Sequence, residues 1–267
     1  MKSTTLWIWL FFLGILLFWH IVVKPILTLL LLLAGVSPVV MHVLLLVLPL
    51  VLMLEVVTKV VMFQAALQPL KCIPTQVEDW PKLDRDTLDN YTAALESLGF
   101  ERLTDYTAPS VNGMARLLVN PRRLCFAEVG QVEGVPMFCT ISGALEGNWI
   151  LGATNQSSSK TLNAISYAFL RQPQILAKRL KDSPVEELLQ SFLDWRQQVV
   201  ADLGANPVRL QTAEDYFALE QRKRSLQRQT LLWKSMSWCL VEMFVFLLNP
   251  RSEWLGKYAK FKSSGMR

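Results

Sequence analysis

The sequence predicts a membrane protein of the α+β class. It would combine an N-terminal transmembrane helical hairpin, a small soluble domain with an antiparallel sheet, and a long C-terminal helix returning to the membrane. Three observations predict this class. Residues 5–63 are almost entirely apolar, and several short segments rich in β-forming residues follow in the middle of the chain. Near the C-terminus, a helical segment is first strongly basic and then apolar.

The apolar stretch is too long for one buried helix or one membrane span. As a helix, residues 5–63 would extend for about 90 Å, whereas the hydrocarbon core of a bilayer is about 30 Å thick. Gly35, Ser37 and Pro38 interrupt the run near its middle, where a reversal is expected. We therefore predict helices over 6–34, with a kink at Pro25, and over 39–63.

Charges at the two ends of the stretch predict its orientation. Lys2 precedes the apolar run, and Lys59 and Lys71 lie near its end. The positive-inside rule then places both ends of the hairpin, and with them both termini and the soluble domain, on the cytoplasmic side. No small-residue cleavage site follows the first apolar run, so we expect an uncleaved anchor rather than a signal peptide.

Five polar side chains fall in or near the predicted spans, and they are functional candidates because ionisable groups are costly in a bilayer. They are His20, Lys24, His42, Glu55 and Lys59. The first two and the last two are i,i+4 pairs, each on one helix face. The alternative is that the lysines snorkel and Lys59 pairs with Glu55. A haem shared by the two histidines is not expected, because their depths would differ by about 15 Å.

Charge is distributed unevenly along the chain. The net charge is +5 overall, composed of +2 in residues 1–70, −5 in residues 71–220 and +8 in residues 221–267. The acidic middle argues against nucleic-acid binding, and the basic arm is suited to an anionic lipid surface. The candidates for that membrane-surface contact are Arg222, Lys223, Arg224 and Arg228.

Helix and turn signals divide the rest of the chain. A helix capped by Asp84 or Asp86 should end at Gly99. Five β-rich segments separated by short turns follow, and connections this short predict an antiparallel meander. The segments are 102–107, 114–119, 124–132, 136–144 and 149–153.

Further helices are expected beyond the meander. The pattern predicts two short helices, 161–171 and 174–181, and a longer helix that begins at Ser183-Pro184 and stops at Gly204. Thr212 and Asp215 form a loose capping box for the last helix.

The last helix is predicted to run unbroken to about Leu248, because residues 208–248 contain neither proline nor glycine. Its apolar part, 231–248, is expected either to lie in the membrane interface or to form a third span. The basic residues after it favour the interfacial alternative.

The predicted organisation therefore has four parts, listed here by residue number: a transmembrane hairpin (1–68), a linker (69–83), a soluble α+β domain (84–220) and a basic and apolar C-terminal helix (221–267).

The soluble part carries no assignable catalytic, cofactor or metal motif. Both histidines lie in the hairpin, which removes the commonest general base and metal ligand from the domain. Cys125 and Cys139 flank a predicted hairpin turn; as cross-strand neighbours they could form a redox pair, and the alternative is two buried thiols. A loop before a helix could hold an anion or act as a linker, and its candidate ligand residues are Thr154, Asn155, Ser157, Ser158 and Lys160.

These observations favour a membrane-anchored, non-enzymatic interaction or assembly module that presents its α+β domain to a protein partner or to a second copy of itself. No cofactor, metal or nucleic acid is expected. The alternatives are a membrane-surface domain that binds a ligand or lipid, or acts as an enzyme, and a small transport or channel subunit using the intramembrane polar residues.

Overall fold

The computed structural model describes Gly14, Leu17 and residues 19–66, 72–108 and 111–259. Within these residues the protein is a mixed α+β structure with one eight-stranded sheet and seven helices. The chain divides into two compact units, residues 1–61 and 62–267.

The first unit consists of apolar helices. Helix α1 covers Trp19–Leu33 and changes from a π-helix to an α-helix at Lys24, next to the predicted kink at Pro25. Its predicted N-terminal part, from residue 6, lies outside the described residues apart from Gly14 and Leu17. Gly35 has a positive φ of 68° between the helices, where the reversal was predicted.

Helix α2, Pro38–Ala66, matches and slightly extends the predicted second helix. Its segment Pro38–Gln64 is long and apolar enough to cross a membrane, and it is not buried within the protein. At about 1.5 Å per residue, these 27 residues extend for about 40 Å. No other single helix in the described part of the chain meets this test.

The second unit is built on the sheet, whose strands follow sequence order. The strands are β1 (Ile73–Pro74), β2 (Glu101–Ala108), β3 (Val111–Asn120), β4 (Cys125–Val132), β5 (Phe138–Leu145), β6 (Trp149–Thr154), β7 (Ile175–Arg179) and β8 (Glu253–Trp254). All neighbours are antiparallel except β6 and β7, which are parallel. The predicted meander is therefore confirmed for β2 to β6, and β1, β7 and β8 extend it.

Five helices accompany the sheet. They are α3 (Arg85–Ser97), α4 (Lys160–Ile165, continued by a π-helical turn, Ser166–Leu170), α5 (Val185–Leu203), α6 (Ala213–Trp233) and α7 (Met236–Leu248). Asp84 caps α3 by accepting a hydrogen bond from the Thr87 N–H at 3.1 Å, as predicted. Gly204 ends α5 in the left-handed conformation, and the capping box of Thr212 and Asp215 begins α6.

The sheet is covered on both faces. Leu88 of α3 and Phe192 of α5 pack with Leu118 in the main core, and α6 covers the opposite face, where Tyr216 packs on Leu117 and Phe126. Side chains alternate between the faces along each strand, so neighbouring residues of β3 belong to different cores. The domain is a three-layer structure.

Two helix predictions were wrong. Within the predicted helix 174–181, Ile175–Arg179 form strand β7 instead, because pairing with β6 outweighs a local sequence that favours a helix. The predicted long C-terminal helix is broken at Lys234 and Ser235, and the direction of the chain bends there by 110° between α6 and α7. The Lys234 ammonium donates to the carbonyls of Ala168 and Arg171, at 3.1 and 3.0 Å, and Ser235 caps α7.

The segment expected as a linker, 69–83, contains regular secondary structure within its described residues. Ile73 and Pro74 pair with β2 at the edge of the sheet. A 3-10 turn, Val77–Asp79, follows, and the side chains of Gln76 and Asp79 cap it reciprocally.

Candidate functional site

The polar residues of the apolar helices are placed as follows. Lys59 Nζ lies 3.4 Å from Glu55 Oε1, and the two side chains form the predicted i,i+4 ion pair. His42 Nδ1 lies 2.6 Å from the Pro38 carbonyl one turn earlier in α2. His20 and Lys24 are exposed at the start of α1.

The first residues of the predicted anion-binding loop make hydrogen bonds within the domain. Asn155 is buried, accepts from the Cys139 N–H at 2.7 Å, and donates to the Tyr91 hydroxyl and the Ser183 carbonyl. Thr154 donates to the Cys139 carbonyl at 3.1 Å.

The rest of the loop leads into α4. Ser158 contacts Asn163 and accepts from Arg179, while Ser157 is half-buried and Lys160 is exposed as the first residue of α4. The side chains that would bind an anion are thus largely engaged within the protein.

Of the two alternatives for Cys125 and Cys139, the structure agrees with two buried thiols and not with a cross-strand pair. Cys139 lies opposite Val129, whereas Cys125 lies opposite Asn120 on the other side of β4, because the hairpin is centred on Gly134 rather than on Val132. Both thiols are free and buried, and burial raises the pKa of Cys125 to about 12. They are core residues and do not form a redox pair.

The basic cluster of α6 does not form one surface. Arg222 is exposed, whereas Lys223 pairs with Glu220 at 3.1 Å. Arg224 lines a cavity under α6, and Arg228 is half-buried. The four side chains therefore point to different surroundings.

A polar cleft of about 900 Å³, which we call the edge cleft, opens on the surface of the described domain. It lies between β1, the 3-10 turn, the N-terminal half of α3 and the first residues of β2. Its charged lining residues are Glu78, Asp79, Arg85, Asp89 and Arg102, above a floor formed by Asp105 and Arg116.

The floor of the edge cleft is a buried ion pair between neighbouring strands. Arg116 of β3 lies directly opposite Asp105 of β2, and both residues are buried. Its Nε and Nη2 donate to the two carboxylate oxygens at 2.9 and 3.1 Å, and Arg102 reaches the same carboxylate at 2.5 Å. Arg116 Nη1 donates to Thr92 Oγ1 of α3 at 3.0 Å. All three nitrogen atoms of the guanidinium therefore donate hydrogen bonds within the domain.

The surroundings of Arg116 favour its charged form. Burial lowers the pKa of Arg116, but hydrogen bonding to Asp105 and the negative charges of Asp105 and Asp89 outweigh that effect and raise the pKa overall. Asp89 lies 3.4 Å from Nη1 and is largely exposed, so it links the floor to the wall of the cleft. The arrangement is a charged platform that hydrogen bonds fix to β2, β3 and α3.

A second polar cluster lies on the opposite face of the sheet, in a cavity of about 220 Å³ beneath α6. Glu128 of β4 accepts hydrogen bonds from the hydroxyls of Tyr106, at 2.8 Å, and Tyr216. Burial raises the pKa of Glu128, and these two hydrogen bonds only partly oppose it. Glu220 and Arg224 line the outer part of the cavity.

Neither cluster was among the residues predicted from the sequence. A signal was present, because Arg116 and Glu128 are charged residues within strongly apolar strand segments. A charge at such a position requires a partner across the sheet or on a covering helix. Its partner cannot be identified before strand register is known.

The described residues contain no group of three or more histidine, cysteine, aspartate or glutamate side chains placed to hold a metal ion. Comparison with known proteins does not assign the chain to a family. No family model matches the chain, and neither the curated proteins nor the solved structures contain a significant match.

Proposed function

We propose that the protein is a membrane-anchored, non-enzymatic interaction or assembly module. In this proposal, α1 and α2 form a transmembrane hairpin with both ends on the cytoplasmic side, and the sheet domain is presented there to a protein partner. The edge cleft is the partner site. The observation that carries the proposal is a wide polar cleft whose floor is fixed by the buried Arg116–Asp105 pair.

The character of the cleft favours a macromolecular partner over a small molecule. Small-ligand pockets are mostly apolar and enclosed, whereas this cleft is lined mainly by charged and polar groups. Exposed Glu78 and Arg85 supply charges of both signs at its walls. Such surfaces give specificity and faster association with a partner of complementary charge.

Simple strand addition to the sheet edge is not the expected binding mode. β1 covers β2 only as far as Asp105, where the Thr75 N–H donates to the Asp105 carbonyl, so Glu101–Thr104 extends beyond it. However, the register with β3 shifts between Arg102 and Thr104. A bulge of this kind twists an edge strand away from further pairing. Recognition is therefore assigned to the side chains of the cleft.

Site-specific photo-cross-linking in cells tests the proposal. A photoreactive residue replacing Glu78 in the full-length protein should capture one defined protein partner. The same residue replacing Gln190, exposed on α5, is the matched control and should not capture it. Arg85→Glu should abolish the cross-link at position 78 without weakening α3, because an acidic residue is favourable in the first turn of a helix. Arg209→Glu, at another exposed arginine, should leave the cross-link intact.

Two results would overturn the cleft assignment. One is the absence of any specific adduct at position 78 in cells where the protein is correctly inserted. The other is an adduct that persists unchanged in Arg85→Glu. An adduct between two copies of the chain would replace the separate partner by a homo-oligomer.

The Glu128 cavity favours a second candidate function, a domain that binds a small cationic ligand. A carboxylate held in place by hydrogen bonds from the Tyr106 and Tyr216 hydroxyls is suited to pairing with an ammonium group. A panel of small primary amines should then raise the melting temperature of the detergent-solubilised protein, and the shift should disappear in Glu128→Gln. Equal shifts in both proteins would remove this candidate.

A further inference from the structure

Helix α7 carries an uncovered apolar face. It is apolar on all sides except for Ser237 and Glu242, and Met236, Cys239 and Phe246 on its inner side are buried. Its outer side exposes Trp238, Val241, Phe244, Val245 and Leu248.

These outer residues share one arc of the helix. At 100° per residue, positions 238, 241, 244, 245 and 248 fall within about 120°, opposite the buried positions. Trp233, at the end of α6 and three residues before α7 begins, is 90 % exposed, and Leu162 of α4, which packs against α7, is also exposed. We call these seven residues the α7 face. An apolar surface this continuous on a folded domain requires a partner.

The chain enters and leaves α7 on the same folded unit. α6 precedes it across the bend at Lys234, with Leu231 in the same buried cluster as Met236. Only a few residues after Leu248, β8 pairs with β7, and Tyr258 is buried in the main core. The helix has 13 residues, or about 20 Å, which is shorter than the hydrocarbon core of a bilayer.

We propose that α7 lies flat in the interface of an anionic bilayer, with the α7 face at the boundary between the headgroups and the acyl chains. A helix whose two ends are held on one domain, and which is too short to span, can contact lipid in this way without crossing it. The two exposed tryptophans are of the residue type that prefers the headgroup level. The typical depth of such a helix is about 5–10 Å.

Charge near the face identifies anionic lipid as the occupant. Lys160, Arg251 and Lys257 are exposed in segments that adjoin α7 in sequence or packing. The carboxylates in residues 231–259, Glu242 and Glu253, are engaged with Arg171 at 3.0 Å and Lys178 at 3.7 Å. A second protein copy would meet this same excess of positive charge, whereas an anionic leaflet is attracted by it.

This inference is independent of the edge cleft and its partner. It gives the domain a lipid contact of its own in addition to the anchor. The α7 face would then hold the domain in one orientation on the membrane surface.

Depth measurement by nitroxide labelling tests the inference. The full-length protein carrying Cys72→Ser would be reconstituted in vesicles of phosphatidylcholine with one third phosphatidylglycerol; its three remaining cysteines are buried. Single cysteines would be introduced at positions 238, 241, 245 and 248. Gln190→Cys, at an exposed position of α5, is the matched control. Accessibility to oxygen and to a water-soluble nickel chelate gives the depth of each label.

The expected result is a similar shallow depth at all four positions, with a spread below about 5 Å, and full nickel accessibility at position 190. In vesicles of phosphatidylcholine alone, nickel accessibility at position 241 should rise several-fold.

Three results would overturn the inference. Labels on the face as accessible to nickel as position 190 would show that lipid does not cover it. Depths that change steadily by about 15 Å from position 238 to 248 would show a penetrating helix. Labels shielded from both reagents would show a protein in place of lipid.

Discussion

The buried pair of Asp105 and Arg116 should make a large and asymmetric contribution to stability. Breaking a buried ion pair by removing one partner typically costs about 3–5 kcal/mol, because the other charge is left without compensation. The two sides of this pair are compensated unequally. Asp105 also accepts from Arg102 at 2.5 Å, whereas Arg116 has only neutral Thr92 and the largely exposed Asp89 as further partners.

The perturbations are therefore Asp105→Asn and Arg116→Met. We expect Asp105→Asn to cost about 4 kcal/mol, since it leaves the guanidinium buried beside an exposed, screened carboxylate. Arg116→Met should cost about 2–3 kcal/mol, because Arg102 still neutralises Asp105 and the methionine fills part of the space. The double variant should lose about 2 kcal/mol less unfolding free energy than the sum of the two single losses. This difference measures the coupling between the two contacting residues.

Urea unfolding of the full-length protein in a mild detergent, followed by tryptophan fluorescence, provides the assay. With a slope of about 2 kcal/mol per molar urea, Asp105→Asn should shift the midpoint by about 2 M. Asp202→Asn, which removes an exposed carboxylate contact with Tyr258 elsewhere, is a control for a single lost charge. Strictly additive single variants, or a larger cost for Arg116→Met than for Asp105→Asn, would refute this account of the pair.

Three further predictions concern other parts of the domain. Because the pKa of Glu128 is raised in the folded state, its favourable contribution is complete below its ordinary pKa of 4.5 and is lost as pH rises through the raised value. Glu128→Gln should therefore gain stability relative to wild type as pH increases in urea titrations, and a constant difference would contradict the prediction. Gly204→Ala should cost about 1 kcal/mol, because φ is 63° there. Gly152→Ala should cost less in the same titrations, because φ is not positive there and the added Cβ would make an ordinary contact, 3.9 Å from the Ile141 carbonyl oxygen. Ser235→Ala should cost about 1 kcal/mol by removing the α7 cap, and Ser235→Asp should restore stability if capping is the cause.

Local signals were sufficient for much of the fold. Asp84 and Gly99 correctly delimited α3, and turn residues together with β-rich segments correctly defined the five strands of the meander. These features depend on interactions within a few residues, which sequence spacing reveals directly. Helix α2 was predictable for the same reason, from the length of its apolar run.

The errors have a common physical origin in contacts between distant parts of the chain. Residues 175–179 form a strand because β6 offers a free edge, which their own composition does not indicate. The edge cleft likewise depends on the register that sets Asp105 opposite Arg116. The positions of charges in strands were visible in the sequence, but their partners were not.

The break between α6 and α7 also depends on such contacts, and it bears on the lipid contact proposed for α7. An unbroken helix from Ala213 to Leu248 would satisfy local propensity and would be long enough to span. Instead, the Lys234 ammonium donates to two carbonyls at the end of the π-helical turn, and Ser235 begins a new helix whose direction differs by 110° from that of α6. That change of direction brings the chain back to the sheet as β8. A helix with both ends on the domain can bury its outer face only against something lying alongside it, which is the physical reason for assigning the α7 face to a membrane surface.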